Sequence, residues 1–275
     1  MTQNQAKAGH TRKPVTVATL ARMKREGEKI AVLTAYDAAF AAVLEAAGVD
    51  VVLVGDSLGM VIQGRDTTVP VTMDEMVYHA ALVARGCRIP LRMVDMPFMS
   101  YPTLELALRN AARLMQEGGA QILKLEGGAW LADSIRHLAR NGVPVCAHLG
   151  LLPQTVHKLG GYRVQGRDEA GARRILDEAL ILQDAGADVL LVESIPAELG
   201  ARLAETLQIP VIGIGAGPGC DAQVLVLHDI LGITLGHRPK FSRNFMEGQG
   251  SILAAVRAYV EAVKNRSFPA PEHCF

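Results

Sequence analysis

Short apolar runs rich in β-branched residues alternate along the chain with amphipathic segments. Eight runs are typical of strands: KIAVLTAYD, DVVLVGD, PLRMVD, QILKLE, VPVCAHLG, DVLLVES, IPVIGIGAG and DILGITLG. The segments between them, such as TLELALRNAARLMQEGG, carry apolar residues at helical spacing. Several of these segments stop at a glycine that can close the last helical turn, namely Gly48, Gly119, Gly142 and Gly186. The chain therefore alternates strand and helix.

The predicted strands are nearly continuous apolar runs, which indicates that both faces of the sheet are covered by helices. Eight such units within 275 residues predict an α/β protein with a closed (β/α)8 barrel. An open doubly wound sheet is the alternative, but GIGAGPGC lacks the spacing of the dinucleotide fingerprint. We expect a single barrel domain over residues 1–275, with a polar N-terminal extension over about 1–14.

The charge balance and the cysteines limit the kinds of binding partner and the compartment that can be expected for this chain. The chain balances 28 basic against 28 acidic residues, which gives no general attraction to nucleic acid or to an anionic membrane surface. No apolar run reaches the roughly 18 residues of a membrane helix. The four cysteines lack zinc or redox spacing. We expect a cytoplasmic protein without a nucleic-acid or membrane partner.

Charged and polar residues recur where the predicted strands end. They are Asp37, Asp56, Asp95, Lys124, Glu126, His148 and Glu193. In a (β/α)8 barrel these ends surround the active site, so these side chains are predicted to ring one mouth. A lone aspartate at such a position can simply cap the next helix, and this alternative is strongest for Asp37 and Asp56. Tyr36, Tyr101 and Trp130 are interpreted as packing residues.

The chemistry of the ring points to a cation. Lys124 and Glu126 are two apart on one strand and therefore share a face. Asp56, Asp95 and Glu126 on neighbouring strands would repel one another unless a proton or a cation relieves the charge. Oxygen ligands without cysteine favour a hard ion such as Mg²⁺ acting as a Lewis acid.

Three other interpretations remain open at this point. Lys124 could form a Schiff base with a carbonyl substrate, without any metal. The barrel could be a metal-dependent lyase that cleaves a carbon–carbon bond of a 2-oxo or 2-hydroxy acid. The chain could also be a non-enzymatic oligomeric scaffold whose acidic residues are helix caps.

The order and content of several blocks resemble the ketopantoate hydroxymethyltransferase family from about Val15 to the C-terminus. The blocks are LTAYDAAFA, VGDSLGMVIQGRDTTVPVTMDEMVYH, MPFMSYP, KLEGG, VCAHLGLLPQ, GGYRVQGR, VIGIGAG and HDILGITLGHRPKF. The resemblance implies a (β/α)8 barrel of the phosphoenolpyruvate/pyruvate type, assembled as a homodecamer and working in pantothenate biosynthesis. It also implies hydroxymethyl transfer from 5,10-methylenetetrahydrofolate to 3-methyl-2-oxobutanoate, giving 2-dehydropantoate, with Mg²⁺ assisting enolisation.

Carried over residue by residue, the resemblance implies roles for the predicted ring. Asp56, Asp95 and Glu126 would bind Mg²⁺. The 2-oxo acid would be bound by Asp56, Ser57, Asp95 and Lys124. Glu193 would accept the substrate proton, with Lys124 and His148 as the other catalytic residues. The chain departs from the family at Cys220 and Ala222, which puts the conformation of that loop in doubt.

Two parts of the implied reaction have little support in the residues themselves. No stretch of sequence is typical of a pterin pocket. The glycine-bearing segment LGGYRVQGR, residues 159–167, is either a mobile cover over the site or simply a long loop.

Overall fold

The computed structural model describes residues 12–236 and 238–275, and its centre is a closed barrel of parallel strands. The strands are β1 Ile30–Thr34, β2 Val51–Val54, β3 Leu91–Asp95, β4 Ile122–Glu126, β5 Val145–Gly150, β6 Val189–Glu193, β7 Val211–Ile214 and β8 Ala222–Leu225. Each strand pairs with the next, and β8 pairs with β1 to close the ring. The predicted (β/α)8 barrel is confirmed.

Helices surround this ring. They are α1 Val17–Glu26, α2 Ala38–Ala47, α3 Leu58–Val61, α4 Met73–Gly86, α5 Leu104–Gln116, α6 Ala132–Arg140, α7 Val156–Leu159, α8 Glu169–Asp184, α9 Ala197–Thr206, α10 Leu227–Ile230 and α11 Ile252–Lys264. Three-ten turns lie at Ala129–Leu131, Pro153–Thr155 and Pro271–His273. The four glycines predicted at helix ends all have positive φ, as a left-handed closing residue requires.

Alternate strand residues form two separate cores. One set, for example Ile122 and Cys146, fills the inside of the barrel, while their neighbours pack outward against the helices. Leu20 and Met23 of α1 belong to the inner core. Helix α1 therefore covers the barrel interior at the end opposite the carboxyl ends of the strands.

The prediction for the eighth strand was wrong. The segment DILGITLG, residues 229–236, begins in α10 and continues as turns, and Leu235 is 94% exposed. The strand is instead Ala222–Leu225, which follows β7 without an intervening helix. Its apolar pattern is short and interrupted by Gln223, which is buried and donates a hydrogen bond to the carbonyl of Gly217 (3.0 Å). The departure at Ala222 thus lies in a strand.

Most of the predicted N-terminal extension, residues 1–11, lies outside the described residues. The first described residue, Arg12, pairs with Asp50 and donates to the carbonyl of Val49 at 2.8 Å. Within residues 12–236 and 238–275, no helix is long and apolar enough to cross a membrane.

Candidate active site

Side chains alternate between the two faces of each strand, and this alternation points the strand residues of the predicted ring toward the barrel axis. Lys124 and Glu126 continue the inward series begun by Ile122, and Asp95 continues that of Met93. The register pairs Asp95 with Lys124 and Glu126 with His148 on adjacent strands. Side chains from distant parts of the sequence therefore meet above the inner core.

A cavity of about 890 Å³ opens at the carboxyl ends of the strands. Its lining includes every residue to which the sequence assigned a role: Asp56, Ser57, Asp95, Lys124, Glu126, His148 and Glu193. Asp37 is the exception in the predicted ring, because its carboxylate caps α2 by accepting the Phe40 amide hydrogen bond at 2.9 Å. For Asp37 the capping alternative was correct.

Asp56 and Ser57 follow β2 and face Asp95. The backbone amide of Asp56 donates to Asp95 Oδ2 at 3.0 Å, and Ser57 Oγ lies 2.8 Å from the hydroxyl of Tyr36. A Cβ on Gly55 would lie 2.7 Å from Ser57 Oγ and 3.5 Å from Asp95 Oδ2. The absence of a side chain at Gly55 therefore gives these two groups the room to approach each other.

Lys124 occupies the centre of the charged groups. Its Nζ lies 3.3 Å from Asp95 Oδ1, 3.4 Å from Glu126 Oε1 and 3.2 Å from His148 Nδ1. All four side chains are buried. We call Asp56, Asp95, Lys124, Glu126, His148 and Glu193 the charged cluster.

His148 links the two sides of the charged cluster. Its Nδ1 lies 3.3 Å from Glu126 Oε1, and its Nε2 lies 3.4 Å from Glu193 Oε2. Glu193 is more exposed than the other members and faces the cavity. Its backbone is held by the amide of Leu151, which donates to the Glu193 carbonyl at 2.9 Å. Gly150 permits this contact, because a Cβ there would lie 2.3 Å from that carbonyl oxygen.

The electrostatics of the charged cluster disfavour full ionisation. Burial, followed by repulsion from Asp95 and Glu126, raises the pKa of Asp56 well above its usual value. Burial also raises the pKa of Asp95, although Lys124 opposes the shift. One lysine therefore does not compensate three adjacent carboxylates.

Lys124 and Glu126 stabilise each other's charged form. Burial opposes the charge on Lys124, but Asp95, Glu126 and Asp56 outweigh it and raise the lysine pKa well above its usual value. Burial likewise opposes the charge on Glu126, yet Lys124 and His148 hold the pKa of that carboxyl below its usual range. A protonated amine is a poor nucleophile, which argues against the Schiff-base alternative.

Gln154 is a site residue that the sequence analysis missed. Its Nε2 donates to Asp56 Oδ2 at 2.8 Å, and its backbone amide donates to Glu126 Oε2 at 3.0 Å. The hydroxyl of Tyr101 donates to Gln154 Oε1 at 2.6 Å. Tyr36 and Tyr101 are thus hydrogen-bonding residues as well as packing residues, and the packing interpretation was incomplete for both. The quoted block VCAHLGLLPQ contains Gln154, but nothing in its pattern distinguishes a neutral loop residue.

The charged cluster is not a preassembled metal site. Among the described residues, no three His, Cys, Asp or Glu side chains lie close enough together to hold one ion. Gln154 bonds both Asp56 and Glu126, and Lys124 lies between Asp95 and Glu126. However, Asp95 Oδ1 is buried and accepts no hydrogen bond within the described part of the chain.

The fold and the arrangement of the site define an enzyme built on a (β/α)8 barrel. Phosphonopyruvate hydrolase, solved in complex with oxalate and Mg²⁺, superposes with a TM-score of 0.62 at 13% identity over 94% of this chain and 99% of that chain. A 2,3-dimethylmalate lyase of the phosphoenolpyruvate mutase/isocitrate lyase superfamily gives 0.60 at 17% identity over 91% and 94%. At these identities the likeness establishes the fold alone.

Sequence comparison identifies the family. The profile of ketopantoate hydroxymethyltransferase matches residues 14–271. The 3-methyl-2-oxobutanoate hydroxymethyltransferase of Alkalilimnicola ehrlichii is 63% identical over 265 residues, covering 96% of both chains. That of Nitrosococcus oceani is 61% identical over 258 residues, covering 94% of this chain and 98% of its own. The chain belongs to the ketopantoate hydroxymethyltransferase family.

Proposed function

We propose that this chain transfers the one-carbon unit of 5,10-methylenetetrahydrofolate to 3-methyl-2-oxobutanoate as a hydroxymethyl group, with water supplying the hydroxyl and tetrahydrofolate released, giving 2-dehydropantoate for pantothenate biosynthesis. The two relatives described above carry the name of this activity over nearly the whole chain. The observation that carries the proposal is the charged cluster. It combines buried carboxylates, one ammonium group and the more exposed carboxylate of Glu193 in one cavity.

Mg²⁺ fits the residues of the charged cluster. Burial first, and then repulsion among the carboxylates, raises the pKa of Asp56 and Asp95, as expected where a cation binds. Asp95 Oδ1 makes an ion pair with Lys124 at 3.3 Å but accepts no hydrogen bond within the described part of the chain. Asp56 and Asp95 would hold the ion. Glu126 is the least available of the three predicted ligands, because both its oxygens already face Gln154, Lys124 and His148. When bound, the ion would act as a Lewis acid toward the substrate oxygen.

The protein's own residues account for the acid–base step. Removal of the proton from C3 of the oxo acid places negative charge on the ketone oxygen, and Lys124 supplies a buried positive charge close to that developing oxyanion. Glu193 accepts the C3 proton as general base. His148 holds the Glu193 carboxylate in place from the other side, and Ser57 positions the substrate carboxylate.

The second substrate, 5,10-methylenetetrahydrofolate, needs more room than the charged cluster provides. The cavity volume of about 890 Å³ is in the range of sites that bury drug-sized ligands. It extends from the charged cluster to Tyr162 and Arg163 of the segment 159–167. The tyrosine hydroxyl there contacts the sulfur of Met60 at 3.7 Å. This space supports a role for the folate as cosubstrate.

The test is proton NMR of 3-methyl-2-oxobutanoate in D₂O with the protein. We expect the C3 proton signal to disappear with Mg²⁺ and to persist with EDTA, because enolisation then lacks its charge stabilisation. Addition of 5,10-methylenetetrahydrofolate should convert the substrate to 2-dehydropantoate. A protein that exchanges no C3 proton under any of these conditions would overturn the proposed function.

The carbon–carbon lyase is the alternative on the same barrel. Its support is a shared fold with 2,3-dimethylmalate lyase at 17% identity, whereas relatives near 60% identity are named hydroxymethyltransferases. Cleavage of 2-hydroxy acids by the protein, measured by release of a 2-oxo acid, would favour the lyase.

Assembly as a homodecamer and a cytoplasmic location belong to the same proposal. Exposed large apolar side chains, among them Trp130, Met99 and Tyr78, would be covered by partner subunits. The four cysteines are free, as expected in a reducing compartment. Light scattering of the purified protein measures the oligomer directly.

A further inference from the structure

The outer part of the cavity contains a buried carboxylate that the acid–base step does not use. Asp229 lies in α10, lines the same cavity as the charged cluster and is 7% exposed. Its Oδ1 accepts a hydrogen bond from Thr234 Oγ1 at 2.7 Å. Its Oδ2 accepts no hydrogen bond from residues 12–236 or 238–275. Because Asp229 lines the cavity, this carboxylate oxygen is available to a hydrogen-bond donor of a ligand.

A second polar group beside Asp229 is also without a partner. Nδ1 of His228 is buried and makes no hydrogen bond within the described part of the chain. The His228 side chain lines the same cavity. The two adjacent polar residues make this part of the cavity wall polar, and Asp229 Oδ2 is the atom available to a polar ligand edge.

Contacts between α10 and the charged cluster side of the cavity connect Asp229 to Ser57 through Tyr36 and His228. Tyr36 bonds Ser57 through its hydroxyl and contacts the ring of His228 with centroids 5.7 Å apart. The start of α10 is tied to the end of β1, because the Leu227 amide donates to Thr34 Oγ1 at 2.9 Å. Asp229 therefore follows directly after a residue that packs on Tyr36, on the wall of the cavity that also contains Ser57.

The chemistry of this wall matches one end of a folate. The pterin ring presents its 2-amino group and N3–H side by side, and these two donors match the two oxygens of a carboxylate. Phe241 and Phe275 line the same cavity and provide an apolar aromatic surface for a flat ring.

We propose that Asp229 binds the 2-amino and N3–H edge of the pterin ring of 5,10-methylenetetrahydrofolate, with Thr234 positioning the carboxylate. The inference rests on the proposed function and extends it by naming the residue that recognises the one-carbon donor. The unused oxygen Oδ2 accepts one pterin hydrogen bond, and Oδ1 accepts the other while keeping that of Thr234.

The test compares Asp229→Asn with wild-type holoenzyme. The substitution keeps the shape of the side chain but replaces one acceptor by a donor, which would face the donors of the pterin. We expect the KM for 5,10-methylenetetrahydrofolate to rise on the order of tenfold to a hundredfold, since a charge-assisted pair is lost. The KM for the oxo acid and the folate-free C3 proton exchange should stay at wild-type values.

The reaction with free formaldehyde distinguishes folate recognition from a structural role of Asp229. If Asp229 had only a structural role, its substitution would impair the formaldehyde reaction together with the folate reaction. It supplies the same one-carbon unit without a pterin ring, so hydroxymethylation by formaldehyde should proceed equally in Asp229→Asn and wild type. Asp66→Asn is the matched control, because Asp66 lines the cavity but is exposed. Thr234→Val keeps the carboxylate and should raise the folate KM by a smaller factor.

Each outcome is decisive. An unchanged folate KM in both Asp229→Asn and Thr234→Val would overturn the inference and leave the proposed function intact. Parallel loss of C3 exchange, formaldehyde reaction and folate reaction in Asp229→Asn would overturn it as well, by assigning Asp229 a structural role. A wild-type protein without C3 exchange would instead overturn the proposed function, and the folate assignment with it.

Discussion

The imidazole Nε2 of His148 lies 3.4 Å from Oε2 of Glu193. The two residues come from adjacent strands, β5 and β6, and only Glu193 of the pair reaches toward the open part of the cavity. In the proposed mechanism this relationship assigns Glu193 as the base that would meet the substrate and His148 as the ring that would hold that base in position.

The first prediction concerns this base. Glu193→Gln keeps the shape of the side chain but cannot accept a proton, so turnover and C3 exchange should fall by roughly 10² to 10⁴-fold. Exchange is measured by NMR, and circular dichroism confirms the fold. The control is Glu198→Gln, an exposed glutamate in the first turn of α9. Wild-type exchange in a folded Glu193→Gln protein would place the base elsewhere.

The second prediction concerns the uncompensated carboxylates. Asp56→Asn removes a carboxylate whose ionised form is disfavoured first by burial and then by repulsion from Asp95 and Glu126. The metal-free variant should therefore melt higher than metal-free wild type, by roughly 2–4 °C for each kcal/mol of repulsion removed. The stabilisation of wild type by added Mg²⁺ should largely disappear in the variant.

Calorimetry with Mg²⁺ and with EDTA measures both effects. Asp37→Asn is the control, since asparagine caps a helix about as well as aspartate and Asp37 lies outside the cavity. A metal-free Asp56→Asn protein that melted well below metal-free wild type would show that the Asp56 charge does not destabilise the fold. A full stabilisation of the variant by Mg²⁺ would show that Asp56 is not a ligand of the ion.

The third prediction tests the close approach at Gly55. In Gly55→Ala the new methyl group would meet Ser57 Oγ at 2.7 Å, so Ser57 or Asp95 must move. Overpacking of this kind costs about 1–3 kcal/mol, and we expect it as a higher KM for the oxo acid. Gly250→Ala is the control, because a Cβ at Gly250 meets nothing within 4 Å. Equal KM values in the two variants would contradict the assigned role of Ser57.

The fourth prediction concerns the pH dependence of folding stability that arises from Asp188, a residue outside the charged cluster. Burial raises the pKa of Asp188, whose Oδ2 accepts the Val145 amide hydrogen bond at 2.9 Å. Because the folded-state pKa lies above the unfolded value, the protonated form is favoured by folding. Stability from this group is complete below its unfolded pKa, near 4, and is lost as pH rises through the folded pKa.

Urea unfolding of wild type and Asp188→Asn across this range tests the sign. The stability of the variant relative to wild type should increase as pH rises from below 4 and level off above the folded pKa. The exposed Asp184→Asn on α8 serves as control. A difference that changed in the opposite direction would mean that ionised Asp188 is favoured by the fold.

The placement of the charged cluster was predictable from simple rules. Carboxyl ends of parallel strands meet at one edge of a barrel, and alternation along a strand places Lys124 and Glu126 on one face. Both rules depend only on local pattern. They failed for Asp37, because the same residue type at a strand end also caps the following helix.

Other features depend on tertiary contacts and had no local signal. Gln154 is separated from Asp56 by 98 positions, yet it bonds that carboxylate. The eighth strand was misplaced because the true strand, Ala222–Leu225, is short, is interrupted by the polar Gln223 and follows β7 directly, after Gly217 and Gly219, which pack closely on α9. Asp229 was hidden for the same reason, since its segment was interpreted as a strand.

Helix α1, whose Leu20 and Met23 join the inner core, leaves the barrel with one open end. Both substrates and both products must then pass through a single entrance. In the proposed reaction the smaller oxo acid would have its contacts at the bottom, and the folate would lie above it and block its way out. A single entrance would then impose an order on the proposed reaction, in which the oxo acid enters first and tetrahydrofolate departs before 2-dehydropantoate.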